Sequence, residues 1–259
     1  MNPHEHAARA AADPSKPVPT PRCPFARMFG GAAHAPPVPS LADTLKERTR
    51  EAHARAEKHP VQARMVKGEV TRAEYAAWLG QMLPVWRAVD AGLSALAARD
   101  ARIAAMVRPY HAHAERIAAD LKFLGQCGGC HPPHTATARF VELVNRAAAS
   151  GGPALVGVWY VLEGSANGGR FIAKALSRGL GIAGPEGLTS FDPHGERQRD
   201  YWQAWRAGLD GQRFDGAERE AIVAAAAATF HAVWEVMEEL SDAQRTTVAT
   251  PARTVPAVA

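Results

Sequence analysis

The sequence contains no apolar run long enough to cross a membrane, no strand-like alternation of any length, and only three cysteines in 259 residues. A bilayer span needs about 20 consecutive apolar residues, so none is expected. Met1 to Ala12 lacks the apolar core of a signal peptide, which makes a cytoplasmic protein the expectation. The net charge is only +4 and arginines are spread along the chain rather than gathered into a stripe. Nucleic-acid binding is therefore not indicated, while a mildly basic surface suits an acidic redox partner. Nothing marks a second domain, although 47% hydrophobic content is enough to bury one large core.

What is present is helix-forming sequence. Alanine and straight-chain residues recur throughout, with apolar positions at threes and fours, and an all-α, single-domain, multi-helical bundle follows. Residues 1–39 are rich in Ala, Pro and His and read as a flexible tail interrupted by a Cys23-Pro24 segment. The helical domain is expected over 40–241, with a second flexible tail at 242–259. Ser40-Leu41-Ala42-Asp43 and Thr71-Arg72-Ala73-Glu74 read as capping boxes opening two helices. The first stops at His59-Pro60. The second carries Tyr75, Trp78, Met82, Trp86, Val89, Leu93 and Leu96, and Pro84 is expected to kink it. A third helix is expected from Ile103 to Leu124, adjusted at Pro109 and ended by Gly125, a fourth from Thr135 to Ala149, a fifth after Pro153, and two more over Arg197–Leu209 and Asp215–Leu240.

Two segments carry chemistry. In the first helix Lys46, Arg50, His53 and Glu57 fall on one stripe, presenting two cations, an imidazole and a carboxylate to a common neighbour. An imidazole can bind iron, and a carboxylate one turn on can orient it. On spacing alone a solvated mixed-charge face explains the stripe as well. In the fifth helix Gly164, Gly168 and Gly169 stand within six residues of a helix interior, where each costs about 1 kcal/mol relative to alanine. Gly164 and Gly168 share a face that lets a backbone approach either a flat ligand or another helix. Ser165 and Asn167 add small polar groups there.

Taken together, these segments resemble the heme oxygenase family. Leu45 to Leu79, with Lys46, Thr49, His53, Glu57, Gly68 and Val70-Thr71-Arg72, is similar to that family's proximal helix and its sequel. Tyr160-Val161-Leu162-Glu163-Gly164-Ser165 and Gly168-Gly169 are similar to the distal helix of its bacterial, biliverdin-producing branch. Ala118 to Gly125 and Phe230 to Leu240 resemble two further family helices, so the likeness spans roughly residues 41 to 240. It implies heme as both substrate and cofactor, held between His53 as axial iron ligand and a distal helix whose Gly164 and Gly168 lie over the oxygen site. Lys46 and Arg50 would lie at the propionate edge, Glu57 would support His53, and Gly169 would belong to the same heme-binding surface. Arg206, with Arg199 behind it, is the late-chain propionate candidate. The implied activity is cleavage of heme to biliverdin, carbon monoxide and ferrous iron, using O2 and electrons from a ferredoxin or flavin reductase. Ser165 stands where the mammalian-type pattern has an aspartate that organises water, and Asn167 is a second departure beside it. These departures leave a non-catalytic heme sensor or carrier on the same fold as the alternative. A diiron oxidase or thiamin-salvage hydrolase is disfavoured because no paired carboxylate-histidine set appears at helix spacing.

One motif stands apart. Cys127-Gly128-Gly129-Cys130-His131-Pro132-Pro133-His134 satisfies the c-type heme attachment pattern, and its Cys127, Cys130, His131 and His134 could in principle complete a tetrahedral zinc site. A thiol/disulfide pair or a plain glycine-proline loop is the preferred account of it. Cys23-Pro24 resembles a heme regulatory dipeptide.

Overall fold

The structure, a computed structural model, describes residues 39–127, 131–150 and 152–249. Helices make up the fold, and among the described residues there is no strand. The order is α1 (Leu41–Arg48), α2 (Arg50–Glu57), α3 (Pro60–Lys67), α4 (Arg72–Ala97), α5 (Ala101–Met106), α6 (Ala114–Phe123), α7 (Thr135–Ala149), α8 (Ala154–Leu180), α9 (Gln198–Asp210) and α10 (Gly216–Ala249). Short 3₁₀ turns at Pro109–His111 and Gly195–Arg197 precede α6 and α9. Cys23-Pro24 lies outside the described residues.

The caps behave as their residue types require. The Ser40 side chain accepts from the Asp43 backbone N–H, and Thr71 and Glu74 exchange both bonds of a capping box. Two expected helices are each divided. Thr49 separates α1 from α2: its hydroxyl donates back to the Leu45 carbonyl at 2.7 Å and its ψ is near 1°, the back-bonding that bends helices at threonine. Pro109 separates α5 from α6. Its ring forces Arg108 into extended backbone (φ −133°, ψ 155°), and the chain restarts with His113 at the head of α6. Pro84 removes one hydrogen bond from α4 but does not end it. At the other end of the chain α10 continues beyond Leu240 to Ala249, since no glycine or proline intervenes before Pro251.

The core sits where α8 crosses α10, α4 and α7, around Trp159, Tyr75, Phe140, Leu155 and Leu162. α10 is long and apolar enough to cross a membrane by length and composition, contrary to the sequence reading. Its Ile222, Val223, Ala226, Val236, Met237 and Leu240 are instead buried in the bundle. Gly157 is what allows α8 and α10 to touch. A Cβ there would lie 1.9 Å from the Ile222 carbonyl oxygen. Gly157→Ala should therefore cost about 1–3 kcal/mol, as overpacking against backbone does, and thermal denaturation of the purified variant measures it. An unchanged melting temperature would show that the two helices are not in contact there.

Between α8 and α9 the chain is tied down by polar anchors. Buried Asp120 accepts from the Thr189 backbone and hydroxyl and from the Ser190 N–H. The Tyr75 hydroxyl donates to the Gly187 carbonyl at 2.8 Å. This loop delivers Ser190, Phe191 and His194 to the site described next.

Candidate functional site

A cavity of about 590 Å³ opens between the helices. α2 contributes His53, Ala56 and Glu57; α10 contributes Phe230, Val233 and Met237; α8 contributes Tyr160 to Leu162, Gly164 to Gly169 and Ile172. Trp78, Leu79, Met82 and Trp86 of α4 and Ile117 of α6 add apolar surface, and Lys46 of α1, His113, the loop residues Ser190 and Phe191, and Trp202 and Arg206 of α9 also line it. A mostly apolar enclosure with a few polar groups, in the range of about 300–1,000 Å³, is typical of cofactor sites.

His53 stands on the cavity with its side chain 55% exposed. Its ring packs edge-on to Phe230, with centroids 5.4 Å apart. Nδ1 faces the Glu57 carboxylate at 3.6 Å, so Nε2 is the nitrogen left to bind a ligand. A helix on which no residue is fully buried thus holds an accessible imidazole against an apolar cavity, with a carboxylate behind it.

The glycines of α8 have three different neighbours. A Cβ on Gly164 would stand 3.1 Å from the Trp202 ring. A Cβ on Gly168 would meet nothing within 4 Å, leaving that side of the helix open on the cavity. A Cβ on Gly169 would collide with the Phe191 carbonyl oxygen at 2.1 Å. Gly169 borders the cavity, but its lack of a side chain is demanded by the α8–α9 loop rather than by a ligand. Ser165 and Asn167 both turn their donors back into the helix: the Ser165 hydroxyl donates to the Leu162 carbonyl at 2.7 Å, and Asn167 Nδ2 to the Gly164 carbonyl at 2.9 Å. The Asn167 carbonyl oxygen accepts from Gln198 at 3.4 Å.

The cations divide. Lys46 and Arg206 line the cavity, and Arg206 also pairs with Asp43 at 2.7 Å. Arg50 is a correction to the four-residue stripe. Beyond the break at Thr49 it is 70% exposed and pairs with Glu47 at 3.4 Å, away from the cavity lining. Arg199 is exposed and likewise absent from the lining.

Beside the cavity lies a polar cluster that the helical spacing of the sequence does not announce. Glu163 of α8 accepts from His113 Nε2 through one oxygen and from His194 Nε2 through the other, each at 3.0 Å. All three side chains are at most 4% exposed. Burial by itself would raise the Glu163 carboxyl, but the bonds from His113 and His194 outweigh it and hold it down at about 2. His113 also lines the cavity and lies against the Trp86 ring at 4.3 Å. Nearby His111, edge-on to Trp159, is pushed down to about 4 by burial. The one signal in the sequence was a charged residue immediately before Gly164 in an otherwise apolar helix turn.

The cysteine-histidine segment does not form the tetrahedral site that its spacing allowed. Cys127 is disulfide-bonded, and a disulfide sulfur has no thiolate to offer zinc. Cys130 lies outside the described residues. His131 packs against Gly80, and Gln81 clamps the loop by donating to the Pro132 carbonyl and accepting from the His134 N–H and the Thr137 hydroxyl. Zinc at this loop is not supported.

The family model described as heme oxygenase matches residues 39–239. No curated protein sequence matches. Among solved structures, the heme oxygenase of Leptospira interrogans superposes with a TM-score of 0.72 at 24% identity, over 78% of this chain and all (100%) of that one. A heme oxygenase of Synechocystis, solved with heme and NO, gives a TM-score of 0.73 at 23% identity, over 81% of this chain and 88% of that one. A TenA homologue from P. horikoshii shares the architecture more distantly, with a TM-score of 0.61 at 11% identity over 78% and 98% of the two chains. Such identities establish a shared fold.

Proposed function

Because this chain belongs to the heme oxygenase family, we propose that it binds heme in the cavity beside His53 and cleaves it in the cytoplasm to biliverdin, carbon monoxide and ferrous iron. The observation that carries the reading is that one apolar cavity is lined both by an accessible imidazole, His53, and by a helix face left open at Gly168. A flat macrocycle needs both: a ligand atom for its iron and a wall without side chains against its plane. Trp78, Met82, Phe230 and Met237 supply apolar contact for the ring. Lys46 and Arg206 supply cations for its carboxylates, with Arg206 exchanging Asp43 for a propionate. The Glu57 carboxylate, 3.6 Å from His53 Nδ1, favours the tautomer protonated on that side, which leaves Nε2 free.

Bound heme supplies redox-active iron and the meso carbon that is oxidised, with O2 and electrons from a ferredoxin or flavin reductase. The chain's contribution is to exclude water with aromatic walls and to keep side chains off the distal face at Gly168. Gly164 is narrower, with the Trp202 ring closing over it.

A second reading, a heme carrier or sensor, is favoured by one observation: the Ser165 and Asn167 donors are engaged by their own helix. The Ser165 hydroxyl then has no proton left for the cavity, and Asn167 keeps only its second amide N–H. Purified protein mixed with one equivalent of hemin and a reductant in air separates the readings. Turnover is expected to bleach the heme band and raise a biliverdin spectrum. A stable heme complex that never bleaches would establish the carrier, and a failure to bind hemin would overturn both.

A further inference from the structure

The His113–Glu163–His194 cluster has the composition and spacing of a metal site and is independent of the heme reading. Its ligand atoms lie within 4.8 Å of one another, and it is the one such group of three among the described residues. The three residues come from separate parts of the chain: the head of α6, the middle of α8 and the loop before α9. Each carboxylate oxygen faces one imidazole Nε2 at 3.0 Å. Ligands about 2.1 Å from a shared ion and roughly at right angles to one another are separated by about this distance.

Charge makes the same point. A carboxylate buried to this depth requires a compensating positive charge. Glu163 has only the two imidazoles as hydrogen-bond partners, and no lysine or arginine reaches it among the described residues. A second carboxylate, Asp90, accepts from the His113 and Ala114 backbone N–H groups, adding negative potential on the same side. The surroundings are otherwise aromatic: the Trp86 ring lies tilted against His113, and Tyr201 and Tyr110 lie edge-on to His194. A bound cation would take over from the imidazole protons as the compensating charge, and two imidazoles with one carboxylate form the donor set that suits divalent iron and its neighbours in the first transition row.

We propose that His113, Glu163 and His194 bind one divalent first-row transition-metal ion at the edge of the cavity. His113 lies on the cavity wall, which is the side from which an ion would enter.

The test uses the full heme-free chain, stripped with a chelator and titrated with Co2+, whose visible bands report nitrogen and oxygen ligation. One equivalent is expected to bind, with a rise in melting temperature as the ion is added. Glu163→Gln keeps the shape but removes the charge, and it should weaken binding at least tenfold. His194→Ala should do the same. The paired change His131→Ala, His134→Ala should leave binding intact, which separates this site from the cysteine-histidine loop. Should a variant fail to fold, the wild-type protein still decides: no stoichiometric cobalt bands in the wild type overturns the proposal and leaves the cluster holding only protons. Identical titrations of wild type and a folded Glu163→Gln variant would do the same.

Discussion

His53→Ala is expected to leave the bundle folded and to abolish heme coordination and turnover together. The side chain is half exposed, lies on a helix with no buried residue, and touches Phe230 only edge-on. Surface changes of that kind shift stability by roughly 0.5 kcal/mol or less, so the melting temperature should barely move. The loss falls on the iron. Among the described residues no other histidine borders the cavity except His113, whose Nε2 is already held by Glu163. Hemin added to the variant should give the absorption of iron without a protein imidazole, and free imidazole diffusing into the gap should restore the band of a histidine-ligated complex. Wild-type turnover persisting in His53→Ala would place the iron ligand elsewhere.

Adjacent glycines should respond in opposite ways. Gly168→Phe adds a ring where nothing stands within 4 Å of the new Cβ. Removing a glycine from a helix interior favours the helix by about 0.5–1 kcal/mol, so the variant should be at least as stable as the parent. Its ring would occupy the cavity, and hemin affinity should fall at least tenfold. Gly169→Ala adds a single methyl that overlaps the Phe191 carbonyl oxygen. It should lose about 1–3 kcal/mol of stability by overpacking, with heme affinity changing only as far as the loop moves. Thermal melts and hemin titrations on the two variants read both quantities. If Gly168→Phe bound hemin as tightly as the parent, the open face of α8 would not be the wall of the heme site.

Where the helices lie, and which face each buries, was legible in residue order. The 3.6-residue period of Tyr75, Trp78, Met82, Trp86 and Val89 is a local property of one segment, and all are buried but Trp78, which is partly so on the cavity wall. Capping residues Ser40, Thr71 and Glu74 act within one turn of themselves. The boundaries that failed were also local, but weaker. At Thr49 a hydroxyl competes with the helix for a carbonyl, and at Pro109 the ring excludes helical backbone from its predecessor. Neither residue ends a helix in every context. Periodicity alone therefore carried the pattern through both.

For the site, sequence reached His53, Glu57 and the glycine triplet because each motif lies within a single helix. It could not say which glycine faces what. Gly157, Gly164, Gly168 and Gly169 are alike as residues, and only the packing of α10, Trp202, open cavity and Phe191 around them assigns one contact to each. Arg50 shares α2 with His53 and Glu57, and only the packing of that helix leaves it in solvent beside Glu47 while His53 meets the cavity.

The sequence by itself determined an all-α bundle, the identity of the accessible imidazole and the helix that carries the glycines, because those follow from nearest neighbours along the chain. Tertiary structure alone decided that Gly168 is the open glycine and that Cys127 has no thiolate to offer a metal. It also brought His113, Glu163 and His194 within hydrogen-bonding distance. That last juxtaposition joins residues 31 and 50 positions apart along the chain. No helical period relates them, and only the burial of α8 among its neighbours supplies the force that holds two imidazoles against one carboxylate.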